Sequence, residues 1–142
     1  MALIVDASAL YAQANRLEPR HNDVTSILRS EAGILATTEF AAAEADYLIL
    51  DRLGLDPEMA FLDDLAQGTF IVDCLDRQEI VKAQEVVARY RDLRLGLADA
   101  SLIVLAARYG TDRILTFDER AFRAVTPLQG GSFTVLPADA PV

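Results

Sequence analysis

Short apolar runs alternate with longer stretches of helical periodicity along this chain. Five of the short runs predict buried strands, at residues 3–5, 33–37, 69–72, 113–117 and 133–136. Between them, apolar side chains recur every three or four residues, which predicts helices. Strands that alternate with helices indicate a mainly parallel sheet covered on both faces, and therefore an α/β fold. No repeat or linker divides the sequence, so we expect residues 1–142 to form one domain with a flexible tail from Pro137.

Several helix ends carry local signals. Gly54 is a natural stop for the helix predicted over residues 39–50. Asp56 and Pro57 have the character of an N-cap followed by the first helical residue. Asp76, three residues before a glutamate, has the spacing of a capping box. Residues 120–125 predict a short helix or turn near the end of the chain.

The stretch over residues 95–106 is apolar on nearly every face, which is typical of a helix buried in the middle of a domain. It carries one carboxylate, Asp99, close to its start. Because a buried carboxylate without a partner is costly, a metal ion, a partner group or an open cleft must compensate it. We interpret Asp99 as part of a metal site.

Three further acids are placed to join Asp99. Asp6 and Asp118 follow the predicted strands at residues 3–5 and 113–117, and ligands bind at the carboxyl ends of strands in open α/β sheets. Glu44 lies on a predicted helix beside small alanine residues. Four converging carboxylates repel one another, and a hard divalent cation such as Mg²⁺ or Mn²⁺ relieves that repulsion. Such a cluster suits phosphodiester hydrolysis.

Each acid also has a simpler interpretation. Asp6 and Asp118 have the position of helix caps, and Asp99 that of a first-turn acid favoured by the helix dipole. Glu44 is open to interpretation as a solvent-facing residue. The alternatives to Glu44 on the same helix are Glu39 and Asp46.

Three polar residues are candidates for a supporting role around the acids. Ser8 and Thr116 each lie two residues from a candidate ligand and are placed to hydrogen-bond a ligand carboxylate or water, or simply to pack. Asp92 is a further candidate, either as a supporting group or as a helix-end residue.

Composition narrows the chemistry further. The 142 residues carry a net charge of −9, which argues against a protein that binds nucleic acid by a general basic surface. A cation-dependent nuclease remains compatible, and so does a basic protein partner. One cysteine and one histidine exclude a cysteine-rich zinc site and leave little room for histidine catalysis. No signal peptide or membrane-length apolar run is visible, so we expect a cytoplasmic protein with no membrane partner.

Four segments carry the candidate acids in order: residues 4–10 (IVDASAL), 43–48 (AEADYL), 90–102 (YRDLRLGLADASL) and 114–118 (ILTFD). Together they resemble the PIN domain, and within it the VapC-type toxin ribonucleases, over residues 3–136. The resemblance implies a three-layer α/β/α fold and an acidic Mg²⁺ site formed by Asp6, Glu44, Asp99 and Asp118. It also implies cleavage of structured RNA such as tRNA or rRNA, a homodimer, and inhibition by a VapB-like antitoxin.

We therefore predict a metal-dependent endoribonuclease. Asp6 and Asp99 are the principal predicted metal ligands, and Asp118 is predicted either to complete the ligand set or to contact the metal through a bridging water. Glu44 is predicted to orient or deprotonate the attacking water. The candidate contacts to RNA phosphates are Arg91, Arg94, Arg120 and Arg123, each of which has surface solvation as its alternative.

Two other functions compete with this prediction. A metal-dependent phosphatase or phosphoacceptor domain would use Asp6 as the nucleophile, although the chain lacks the second aspartate two residues later that such phosphatases use. A non-catalytic PIN-like scaffold that only binds RNA or protein would not need all four carboxylates.

Overall fold

The computed structural model of the protein describes residues 1–141. Five parallel strands form one sheet in the order β3-β2-β1-β4-β5. The strands are β1 (Leu3–Val5), β2 (Leu35–Thr38), β3 (Ile71–Asp73), β4 (Arg113–Leu115) and β5 (Thr134–Leu136). The helices are α1 (Ala7–Ala14), α2 (His21–Ser30), α3 (Glu39–Leu53), α4 (Leu55–Ala66), α5 (Arg77–Arg89), α6 (Leu97–Tyr109) and α7 (Glu119–Ala124), with a 3₁₀ turn at Arg91–Leu93.

Two apolar cores lie on opposite faces of the sheet. Successive residues of a strand point to opposite faces, so Ile4 of β1 enters one core while Leu3 and Val5 enter the other. Residues from α5, α6 and α7 pack around Ile4, and residues from α1, α2 and α4 pack around Leu3 and Val5. The three layers confirm the predicted α/β/α fold, and the sheet is parallel throughout.

Helix α6 is the centre of one of these layers. All seven residues from Ala100 to Ala106 are buried, which confirms the prediction of a buried helix in this stretch. The helix begins at Leu97, two residues later than the start of the predicted stretch, because Gly96 is its N-cap. It ends at Gly110, whose left-handed backbone conformation (φ 64°) favours glycine. Asp99 therefore lies in the first turn.

Strands β2 and β3 each begin two residues later and end one residue later than predicted, and two further boundary predictions were wrong. Strand β4 ends at Leu115, so Thr116 and Phe117 separate it from Asp118, which lies in a turn and not at the strand end. Asp56 is not an N-cap, because Gly54, at φ 98°, ends α3 and begins α4 directly. The capping box of α5 is confirmed by the bond of 2.8 Å that the Glu79 amide donates to Asp76.

The chain after β5 folds back onto α7. Asp139 accepts hydrogen bonds from the Val135 amide at 2.8 Å and from the Arg123 guanidinium at 2.6 Å. The predicted flexibility of the tail from Pro137 stays a prediction. None of the helices within residues 1–141 combines the length and apolar character that crossing a bilayer requires.

Candidate active site

Asp6 is the most deeply buried of the four candidate acids, with 4% of its surface exposed. It directly follows β1, and its backbone amide continues the sheet by donating to the Leu115 carbonyl at 3.0 Å. Its Oδ1 accepts a bond of 2.7 Å from the Ala7 amide, so it also caps α1. Its Oδ2 accepts from Thr116 Oγ1 at 2.6 Å and Ser8 Oγ at 3.0 Å. These three bonds leave about one of the four acceptor positions of a carboxylate free.

Burial raises the pKa of Asp6, while the hydrogen bonds from Thr116, Ser8 and Ala7 oppose that rise and the charge of Asp118 adds to it. A side chain so enclosed and hydrogen-bonded is poorly placed to attack a phosphorus atom. The arrangement therefore does not favour the phosphatase alternative, in which Asp6 is the nucleophile.

The hydroxyls of Ser8 and Thr116 connect Asp6 to the turn that carries Asp118. The amide of Phe117 donates to Ser8 Oγ at 3.1 Å, and the amide of Asp118 donates to Thr116 Oγ1 at 3.0 Å. The supporting role predicted for both hydroxyls therefore has a structural basis. Asp118 itself is exposed and caps α7 through Oδ1, which accepts from the Ala121 amide at 3.2 Å.

Asp99 is the acid whose charge is most disfavoured. It is partly buried in the first turn of α6, and its pKa is raised from the ordinary 3.8 to about 7. Burial is the largest cause, followed by the negative charges of Asp6, Asp118 and Glu44 in that order. The four predicted acids therefore lie close enough to repel one another.

Glu44, on α3, is exposed to solvent but faces this group. The surrounding protein and the charge of Asp6 raise its pKa. The two alternatives on the same helix point elsewhere, because Glu39 lies against the thiol of Cys74 and Asp46 against Glu58 of α4. The structure thus brings Glu44 into the cluster and leaves the other two outside it.

A buried pair of hydroxyls, which the sequence analysis missed, joins the helices of Glu44 and Asp99. Thr38 Oγ1 lies 2.7 Å from Ser101 Oγ and also caps α3 by accepting from the Ala41 amide at 3.2 Å. Ser101 donates to the Ala98 carbonyl at 2.6 Å. The sequence contains two signals of this pair: Thr38 stands immediately before a predicted helix, and Ser101 is the single hydroxyl residue within the apolar stretch of α6.

No positively charged side chain within residues 1–141 pairs with the four acids. In the part of the chain that the structure describes, none of them forms an ion pair with a lysine, arginine or histidine. Their oxygens are the ligand type that Mg²⁺ and Mn²⁺ prefer, so the donor set fits a hard divalent cation. Within residues 1–141, however, no three acidic, histidine or cysteine side chains are already arranged to hold a metal ion. Binding therefore requires side chains to rotate, and Glu44 and Asp118 are exposed enough to do so.

The other predicted site residues differ in exposure and in ion pairing. Asp92 is exposed on the 3₁₀ turn, and it is not among the charges that raise the pKa of Asp99. Three of the four predicted RNA contacts are exposed and form no ion pair within the described residues: Arg91, Arg94 and Arg120. Arg123 differs, because it is paired with Asp139 at 2.6 Å and Glu119 at 3.3 Å.

The sequence model of the PIN domain matches residues 3–126 of this chain. The chain belongs to the PIN-domain family. This PIN domain is 43% identical to Ribonuclease VapC26 of Mycobacterium tuberculosis over 135 residues, which cover 95% of this chain and all of that protein. The VapC-type resemblance predicted from the four segments is thereby confirmed.

Solved structures agree on the fold of this PIN domain. The crystal structure of M. tuberculosis VapC20, described as a toxin that cleaves the sarcin-ricin loop, superposes with a TM-score of 0.77 at 19% identity, covering 82% of this chain and 90% of VapC20. The VapBC2 complex of Rickettsia felis, bound to a DNA fragment from its promoter, gives a TM-score of 0.65 at 11% identity, with 95% and 97% coverage.

The repulsion at Asp99 predicts a specific pH dependence of stability. Between about pH 4 and pH 7, folded protein keeps a proton on Asp99 that the unfolded chain has lost, so wild-type stability falls as the pH rises through this range. Asp99→Asn removes the cost and should raise the melting temperature at pH 8, in EDTA, by roughly 5 °C, with a smaller difference at pH 4.5.

Thermal denaturation followed by circular dichroism measures this difference. Asp92→Asn is the matched control, since it makes the same chemical change at an exposed position and should leave the melting temperature unchanged at both pH values. Equal melting temperatures for wild type and Asp99→Asn at pH 8 would contradict the proposed repulsion.

Proposed function

We propose that this PIN domain is an Mg²⁺- or Mn²⁺-dependent endoribonuclease that cleaves structured RNA, such as tRNA or rRNA, in the cytoplasm. The observation that carries the proposal is the convergence of four carboxylates, one of which, Asp99, has a pKa of about 7, and none of which pairs with a cationic side chain within residues 1–141. Maintaining such an arrangement is unfavourable in the absence of a ligand that offsets the charge. A divalent cation and the backbone of RNA together provide that ligand.

Each acid has its own role in the proposal. Asp6, Asp99 and Asp118 hold the cation, which when bound polarises the phosphoryl group and lowers the pKa of an attacking water. Glu44 is exposed and has a raised pKa, which suits it to orient that water and accept its proton.

The hydroxyls and arginines around the acids have supporting roles. Ser8 and Thr116 keep the Asp6 carboxylate in one orientation through their hydrogen bonds. Arg91, Arg94 and Arg120 are the proposed contacts to substrate phosphates, since they are exposed and carry no ion pair within residues 1–141. Arg123 contributes less, since two carboxylates already hold its guanidinium.

The relatives support the choice of substrate and partner. VapC26 is described as a ribonuclease and VapC20 as a toxin that cleaves the sarcin-ricin loop, which favours structured RNA as the substrate. The R. felis protein is seen in a VapBC complex, which favours an antitoxin of the VapB type as the partner here. The net charge of −9 suits a basic antitoxin segment that neutralises the acidic cluster.

Cleavage of RNA by the purified protein tests this function. We expect Mg²⁺ or Mn²⁺ to support cleavage of total RNA at discrete positions and excess EDTA to abolish it. Asp99→Asn should reduce the rate on the order of 100-fold or more, because it removes a charged ligand at the reacting centre. Asp51→Asn, an exposed acid in the last turn of α3, is the control and should cleave like wild type.

The sites of cleavage follow from sequencing new 5′ ends with wild type and Asp99→Asn side by side. Undiminished cleavage in excess chelator would exclude the metal mechanism. Failure to bind either cation and to cleave RNA would favour the alternative of a non-catalytic scaffold.

We also propose that the protein is a homodimer through α4 and the adjoining face of α3. Leu55, Met59 and Leu62 recur at positions i, i+4 and i+7 of α4 and form an exposed apolar stripe, with Leu55 61% and Met59 56% exposed. Tyr47, on the helix that packs against α4, is 68% exposed. Grouped apolar side chains of this kind are typical of a protein interface.

Sedimentation of a charged variant tests the dimer. Met59→Glu should convert the protein to a monomer, since a carboxylate at the centre of an apolar interface loses its hydration. Val81→Glu places the same charge at an exposed apolar position of α5 and should leave the dimer intact. A wild-type monomer, or a Met59→Glu dimer of undiminished affinity, would contradict this interface.

A further inference from the structure

A small recess lies beside Thr116, the residue that hydrogen-bonds the buried Asp6 carboxylate. Its volume is about 230 Å³, below the 300–1,000 Å³ typical of sites for whole drug-sized ligands. One wall is Thr116, whose Oγ1 donates to Asp6 at 2.6 Å. Phe117 and Glu119 line it on either side of Asp118 in the sequence, and Pro137 closes it from the chain after β5. A group in the recess is therefore one side chain away from the proposed reacting centre.

Two planar side chains stack at the recess. The guanidinium carbon of Arg20 lies 3.6 Å from the centre of the Phe117 ring. Arg20 is half exposed, and its one ion pair within residues 1–141, to Glu18, is long at 3.5 Å. An aromatic ring stacked with an arginine is a surface on which proteins hold unpaired RNA bases.

The remaining polar groups of the recess are hydrogen-bond acceptors. Asp23 is exposed and forms no ion pair within residues 1–141, and Glu119 is held only weakly by Arg123, which lies closer to Asp139. Two carboxylates repel a phosphate group, so the recess does not suit the RNA backbone. They accept hydrogen bonds from the N–H groups of a base instead.

The combination of donors and acceptors distinguishes among the bases. Guanine presents N1–H and its N2 amino group side by side on the Watson–Crick edge, and these two donors match the two oxygens of a carboxylate. Adenine and cytosine have fewer donors to offer two carboxylates, and uracil lacks an amino group. Guanine therefore donates two hydrogen bonds to a carboxylate while its ring stacks on the free face of the Arg20 guanidinium.

We propose that this recess, formed by Arg20, Asp23, Phe117 and Glu119, binds an unpaired guanine next to the scissile phosphodiester. The inference rests on the proposed ribonuclease function and adds to it a source of sequence preference. The base stacks at the Arg20–Phe117 pair and donates to Asp23 or Glu119, which fixes the position of the neighbouring phosphate relative to Asp6.

Binding of mononucleotides tests the recess without any cleavage step. In EDTA, the four nucleoside 5′-monophosphates are titrated into isotopically labelled protein and followed by amide NMR. We expect GMP to shift the amides around Asp23 and Phe117 and to bind about 5-fold or more tightly than AMP, CMP or UMP. Equal shifts by all four, or by inorganic phosphate, would overturn the proposal.

Cleavage of an RNA library with a randomised loop tests the same recess in the reaction. Wild type should enrich guanine at one fixed position beside the cut. Arg20→Ala and Phe117→Leu should make guanine nearly as frequent as the other bases at that position. Asp23→Asn should weaken the enrichment of guanine, and because Asp23 is exposed, this variant tests the recess even if Phe117→Leu fails to fold. Arg29→Ala, on the same helix α2 but outside the recess, is the control and should keep the full preference.

The two experiments separate the recess from the ribonuclease function. Selective GMP binding without any cleavage would retain the recess and overturn the proposed function. Cleavage with no guanine preference, or with a preference unchanged in Arg20→Ala and Asp23→Asn, would be consistent with the ribonuclease function and would contradict the proposed guanine site in the recess.

Discussion

The burial of a carboxylate at the end of β1 is the constraint on which the rest of this structure depends. Asp6 is kept in place by three hydrogen bonds, two of them from hydroxyls that also hold the turn leading to Asp118. It cannot move away from the acids around it without breaking these bonds. Its charge therefore raises the pKa of both Asp99 and Glu44, which lie on different helices.

The apolar core fixes the other side of this arrangement. Helix α6 is buried from Ala100 to Ala106, and the Thr38–Ser101 hydroxyl pair ties it to the start of α3. Asp99 and Glu44 are thereby brought to the edge of the sheet where Asp6 lies. The free energy gained by packing the core also holds the four carboxylates close to one another. Binding of a cation relieves this electrostatic repulsion. Stability and function are in this sense opposed at Asp99.

Local signals were sufficient to predict the strands, the buried helix and the candidacy of Asp6, Asp99 and Asp118, because each depends on residues close in sequence. The choice of Glu44 over Glu39 and Asp46 depends on how α3 is rotated against its neighbours, which periodicity alone leaves open.

The features that the sequence did not reveal join distant segments. Thr38 and Ser101 are 63 residues apart, and Arg123 pairs with Asp139 across the last strand. The recess beside Thr116 combines α2, the turn after β4 and the chain after β5, so no single segment carries its signal.

Proton release on metal binding is the most direct test of the central claim, that repulsion among the four acids exists to be relieved by a cation. Calorimetric titration with Mn²⁺ at pH 7, in two buffers with different heats of ionisation, measures it. Because the pKa of Asp99 is about 7, we expect release of about half a proton for each site filled, and less at pH 8. Binding with no proton release at pH 7, or no binding at all, would contradict it.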